Sequence, residues 1–189
     1  MRVTTVENLA LALATLVLGL MAGFFTTYTI NVSLALSQVD GPTYAVVQSL
    51  LNQSVRQPIF GALFFGGAVV LALALGMNWR HAASAPFGLL ALAILLYLSG
   101  VIVYTAQVHL PLNMYTESWD PQALPSDWAA TRSAWNRANL VRTTAAGLTF
   151  LLTLSALALR AQPGPAPAEV EQPDDTFRNA TTDDTRRSI

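Results

Sequence analysis

Cysteine and lysine are both missing from the 189 residues, and charge of either sign is scarce. Without a thiol there is no disulfide, no thiolate nucleophile and no Cys-ligated metal. All ten basic residues are arginine, a bias that fits the coding of a GC-rich bacterial genome. Charged residues make up 11% of the chain, where a soluble domain carries about a quarter. A net charge of −1 leaves no basic surface to neutralise phosphates, which excludes nucleic acid as a partner. Phosphate loops, dinucleotide fingerprints and Ser/His/Asp constellations are absent as well. The two histidines, His81 and His109, fall at opposite ends of the predicted spans, and the carboxylates near them lack ligand spacing. No metal site and no cofactor is therefore expected.

What the chain does have is long apolar runs, at residues 9–25, 59–77, 87–106 and 143–159, within a mean hydropathy of +0.44. Each approaches or reaches the roughly 20 residues that cross a hydrocarbon core of ~30 Å. The fold expected is an all-α, integral membrane four-helix bundle forming one domain over residues 1–161. Its spans run at about 6–36, 58–77, 87–109 and 127–161. Arg2, an apolar stretch and Ala35-Leu36-Ser37 give a partial match to a signal peptide. The apolar region is too long for one and ends in a polar helical stretch, so this segment is taken as the first span.

Between spans 1 and 2, apolar residues at 46, 47, 50, 51 and 55 predict a short interfacial helix, with Asp40 near its start and Pro42 in its first turn. Pro111 is expected to bend or end span 3, with an ordered loop over 112–125. Ser126-Asp127 is expected to cap span 4. Thr15, Gly19, Gly23 and Thr27 form a small-residue stripe suited to close helix contact. Residues 162–189, rich in Pro, Asp and Thr, predict a disordered tail. The arginine distribution favours a multi-pass plasma membrane protein with both termini in the cytoplasm.

Polar residues gather where spans 1 and 3 end and span 4 begins. Tyr28, Asn31 and Ser33 should meet Gln107, His109 and Asn113, and also Asn139, Arg142 and Thr143, as a polar pocket at one membrane side. Lipid offers such groups no partner, so they must find one another or a ligand. In span 4, Trp128, Arg132, Trp135, Asn139 and Arg142 share one helix face. Two indoles and a guanidinium there suit a planar aromatic ligand, and equally an interfacial aromatic belt. Asp40, Glu117 and Asp120 are candidate partners for Arg142. His109 is either a general base or a histidine that hydrogen-bonds at a helix end.

Three segments carry a family resemblance: GLMAGFF in span 1, LPLN at 110–113 and WNRANLVRT at 135–143. Together, and in this order, they resemble the anthrone oxygenase-like proteins over about residues 15–160. The family pattern has an Asn-x-Pro-x-Asn element after span 3 and a Trp-x-x-x-Asn-x-x-Arg-Thr element opening span 4. Pro111, Asn113, Trp135, Asn139, Arg142 and Thr143 match it, while position 109 is His where the family often has Asn. The resemblance implies a four-span membrane protein, some of whose relatives oxidise anthrones with oxygen and no known cofactor. On that reading the catalytic residues are His109 or Tyr28 as base and Arg142 as oxyanion donor. The ligand-binding residues are Phe24, Asn31, Asn113, Trp135, Asn139 and Thr143. The non-catalytic reading is a small membrane protein whose partners are membrane lipid, an aromatic or quinone-like molecule, or a larger membrane complex.

Overall fold

The computed structural model describes residues 5–161; the predicted tail at 162–189 and Arg2 lie outside the described residues. Five helices follow one another: α1 (Thr5–Leu36), α2 (Gly41–Ser54), α3 (Pro58–Met77), α4 (Ala85–Glu117) and α5 (Trp128–Ala161). All but α2 are long and apolar enough to cross a membrane. The chain is a multi-pass, all-α four-helix bundle. α1 packs on α3 and α5, and α4 packs on the same two, which closes a ring α1–α3–α4–α5. Leu11, Leu18, Met21 and Phe25 of α1 meet Phe64 and Leu71 of α3, Leu90, Tyr97 and Val101 of α4, and the small residues Ala145, Ala146 and Ala156 of α5. Leucines at 9, 13, 16 and 20 face outward, as lipid allows.

Small residues set the closest approaches. A Cβ at Gly19 would lie 2.9 Å from the Phe150 ring, and one at Gly67 2.9 Å from the Tyr97 hydroxyl, which itself donates to the Phe64 carbonyl at 2.8 Å. The expected stripe in α1 is only half used, because Gly23 and Thr27 are exposed. α5, at about 1.5 Å per residue, is roughly 50 Å long and projects beyond a ~30 Å core. Asp127 stands just before it, and its carboxylate accepts from the Tyr115 hydroxyl at 2.8 Å and from Thr131 at 3.4 Å.

Two expectations fail in an instructive way. α4 does not end at Pro111 but continues to Glu117, so the loop begins only at 118. Proline in a helix clashes with the carbonyl four residues earlier. Here a π-helical stretch, Thr105–His109, runs straight into Leu110 and widens the backbone at the point of that clash. α2 is the second case, since its buried face is Gly41, Tyr44, Ala45, Gln48 and Asn52. The apolar set read from the spacing is split: Val46 and Leu50 are 45% and 59% exposed, while Val47 and Leu51 pack against the Leu36, Tyr44, Ala45 and Trp119 cluster. The helix thus turns a mixed face inward, the Gln48 and Asn52 amides beside an aromatic and aliphatic patch.

Candidate functional site

α1 turns from α-helical to π-helical over Tyr28–Val32, and α4 does so over Leu98–Val103 and again over Thr105–His109. Wide turns of this kind are rare and cluster at functional sites, because they re-aim side chains without breaking the helix. Both helices use them at the end of the bundle where α5 begins its apolar run, and the polar side chains converge there.

Arg142 lies at the centre. Its Nη2 donates to Asn139 Oδ1 at 2.7 Å and its Nη1 reaches Thr105 Oγ1 at 3.5 Å, while Nε is buried without a partner. Its guanidinium carbon stands 4.3 Å from the centroid of the Phe25 ring. Among the described residues no carboxylate pairs with it. Glu117 is taken by Arg56, Asp40 caps α2 through the Thr43 amide, and Asp120 bonds the Gln122 amide in its own loop. All three candidate partners named from the sequence are thus engaged elsewhere, by groups nearer to them on the polar rim.

Around the arginine, Asn139 Nδ2 donates to Thr29 Oγ1 at 2.9 Å, the Thr29 and Thr143 hydroxyls are 2.9 Å apart, and both reach the Phe25 carbonyl. His109 is 0% exposed, and neither ring nitrogen has a partner. Its ring meets Tyr104 and Trp135 edge-on, at centroid distances of 5.8 and 5.4 Å. Trp135 is buried, lies 4.4 Å from the Tyr28 ring, and donates its indole N–H to Asn113 Oδ1 at 2.7 Å. The structure thus brings together His109, Tyr28, Arg142, Asn113, Trp135, Asn139 and Thr143. It leaves out Phe24, 47% exposed against Phe60, and Asn31 and Gln107, both exposed on the outer surface.

The aromatic wall at the arginine is therefore Phe25, one residue on from the expected Phe24. The membrane-belt reading fails for Trp135, which is interior. Trp128 is half-buried and packs 6.4 Å from Tyr44 against α2. Arg132 is no ligand clamp: it donates to the Leu36 carbonyl at 3.3 Å and lies over the Tyr44 and Trp128 rings, closing the end of α1. An open pocket was expected here, but the polar groups bond one another.

Several participants escaped the sequence reading. The Tyr28 hydroxyl donates to Gln48 Oε1 at 2.6 Å, Gln48 Nε2 to Asn52 Oδ1 at 2.9 Å, and Asn52 Nδ2 to Thr116 Oγ1 at 3.2 Å. This buried chain ties α1 through α2 to the end of α4. Its signal was the i, i+4 pair of amides on α2, Gln48 and Asn52.

A family model described as anthrone oxygenase matches residues 50–152, more than half of the chain. The chain belongs to the anthrone oxygenase family. No curated protein and no solved structure matches it. The anthrone oxygenase match takes in His109, Asn113, Trp135, Asn139, Arg142 and Thr143, and leaves Tyr28, Phe25 and Gln48 outside. The half of the cluster that α4 and α5 supply is thus family sequence. The half contributed by α1 and the start of α2 lies beyond the match.

Proposed function

We propose that this protein is a membrane oxygenase that oxidises a planar phenolic substrate of the anthrone type with dioxygen. The observation that carries the reading is Arg142, an arginine inside the bundle with no carboxylate to neutralise it among the described residues. A charge left unpaired at such depth is costly and marks a place where an anion is made or held. Beside it His109 offers two ring nitrogens with no protein partner.

The chemistry follows from these groups. An anthrone carries an acidic C–H opposite its carbonyl. His109 takes that proton, and the electron pair moves onto the oxygen as an enolate stabilised by Arg142. The electron-rich enolate reduces dioxygen and forms a C–O bond at the same carbon. Loss of water from the resulting hydroperoxide gives the quinone, so one anthrone and one dioxygen become one anthraquinone and one water. Phe25 and Trp135 flank the ring system, and the Asn113 amide, its oxygen held by Trp135, presents NH2 as a further donor. The substrate enters by displacing the 3.5 Å Arg142–Thr105 contact, the weakest in the cluster.

A second reading rests on Thr29, which bonds both Asn139 and Thr143 and so on its own locks α1 to α5. Oxygen uptake by purified protein in detergent with emodin anthrone separates the two. His109→Phe keeps a planar ring and removes two unpartnered nitrogens, so stability is retained. Uptake should fall by roughly 100-fold or more if the base is lost. Arg142→Met should abolish it as well. Wild-type uptake no faster than the spontaneous reaction, or full activity in His109→Phe, would leave the structural lock as the better description.

A further inference from the structure

The far end of the bundle holds a second group of charges that the oxygenase reading does not use. There α1 begins, α3 ends in a 3₁₀ turn at Trp79–His81, and α5 finishes. Glu7 Oε2 accepts from Arg160 Nη2 at 3.0 Å and stands 4.0 Å from His81 Nε2. Beside them opens a cavity of ≈ 430 Å³, with Glu7, Leu73, Gly76, Met77, Trp79 and Arg80 in its lining. Glu7 is engaged by Arg160, and Arg80 lines the same cavity. Arg80 forms no ion pair among the described residues; it is exposed, 6.0 Å from the Trp79 ring.

The lining is divided by depth. Trp79 and Arg80 sit at the helix end, where indole and guanidinium suit the headgroup layer. Leu73 and Gly76 lie one to two turns deeper on the lipid-facing side of α3, where seven residues span about 10 Å. A Cβ at Gly76 would meet nothing within 4 Å, so this wall is vacant space rather than packed core. A cation above a groove of hydrocarbon is the shape of a phospholipid, with a phosphate to pair and a chain to lay down. A free phosphate would leave the apolar half unused.

We propose that this cavity binds an anionic glycerophospholipid, its phosphate on Arg80, its glycerol region against Trp79 and an acyl chain along Leu73 and Gly76. The site is independent of the oxygenase cluster.

Native mass spectrometry of the full chain in a delipidating detergent tests it, with equimolar phosphatidylglycerol and phosphatidylcholine added. Wild type should retain phosphatidylglycerol about fivefold more than phosphatidylcholine, the preference one interfacial arginine confers. Arg80→Gln should erase the preference, and Gly76→Leu, whose Cβ meets no protein atom within 4 Å, should lower retention of both lipids. Arg137→Gln, an exposed arginine in the opposite half of α5, should change neither. Equal retention of the two lipids by wild type, or a preference that survives Arg80→Gln, would overturn the assignment. Displacement of the lipid by millimolar inorganic phosphate would overturn it in favour of a soluble-anion site. A Gly76→Leu protein that binds as wild type does would refute the placement of the chain.

Discussion

Gly100 offers the sharpest test of how tightly α4 and α5 are fitted. A Cβ built there would lie 2.6 Å from the Ala145 Cβ and 4.0 Å from its Cα. Apolar carbons are comfortable at about 3.5–4.0 Å, so Gly100→Ala must push the two helices apart by about 1 Å. Overpacking of this kind costs about 1–3 kcal/mol. Alanine's better helix propensity returns up to about 1 kcal/mol, leaving a net loss of up to about 2 kcal/mol. Unfolding in detergent, followed by helical circular dichroism, reads the change. Gly61→Ala is the matched control, because no heavy atom stands within 4 Å of its new methyl, and it should be neutral or slightly stabilising. The double variant Gly100→Ala/Ala145→Gly moves the methyl from one helix to the other and should recover most of the loss. The same displacement stretches the Arg142–Thr105 contact, already 3.5 Å, so oxygen uptake should fall in the single variant and return in the double. A Gly100→Ala protein as stable as wild type, or a double variant no better than the single, would refute the close helix contact and its link to the cluster.

Three further outcomes are expected. The Tyr44 hydroxyl is buried without a partner, and burial pushes it up to about 12 despite the opposing pull of Arg132. A phenol whose folded value is raised holds its stabilisation below about pH 10 and loses it as pH climbs toward 12. Tyr44→Phe should therefore match or exceed wild type by up to about 1 kcal/mol at neutral pH, and a pH-dependent melting series should lack the alkaline decline. At the acid end, hydrogen bonding from the Thr43 side chain, and then from its amide, holds the exposed Asp40 carboxyl below its usual range. Its contribution is present above about pH 4 and disappears as pH falls through the lowered folded value. The acid limb of the melting curve should be shallower in Asp40→Ala than in wild type. Finally, Glu7→Gln leaves the largely buried Arg160 without its carboxylate and should cost about 3 kcal/mol, measured by denaturant titration in detergent.

The spans were legible because lipid demands unbroken apolar runs, and four such runs are plain in the sequence. The cluster was legible by depth: Tyr28, His109, Asn113 and Arg142 lie at one level of the bundle, as their positions along the helices imply. Depth alone does not give the face, and the misplacements follow from that. Phe24 and Asn31 are seven residues apart and share the side of α1 that also carries Leu20 and Thr27, all exposed. The inward series Leu18, Met21, Ala22 and Phe25 was there to be followed, and it leads to Thr29. In α2 the apolar spacing gave the helix but not its inward polar pair, Gln48 and Asn52, whose partners Tyr28 and Thr116 come from other helices. The absence of a carboxylate at Arg142 was not readable at all, since three acids lie within plausible loop reach and only their own local bonds remove them.

The π stretches of α4 make His109's heading a matter of counting. Two of them, Leu98–Val103 and Thr105–His109, are separated by Tyr104 alone. No hydrogen bond holds the imidazole, so its direction is inherited from how many residues those wide turns absorb, like the reading on a vernier. Removing one residue within 98–103 would let a wide turn tighten to α geometry and absorb the loss. Removing one from the regular turns at 85–97, which have no such slack, would rotate the helix beyond by about 100°. His109 would swing out of the cluster, yet the hydropathy profile would hardly change. A chain shortened by one residue here could look like the same membrane protein and have lost the arrangement at its centre.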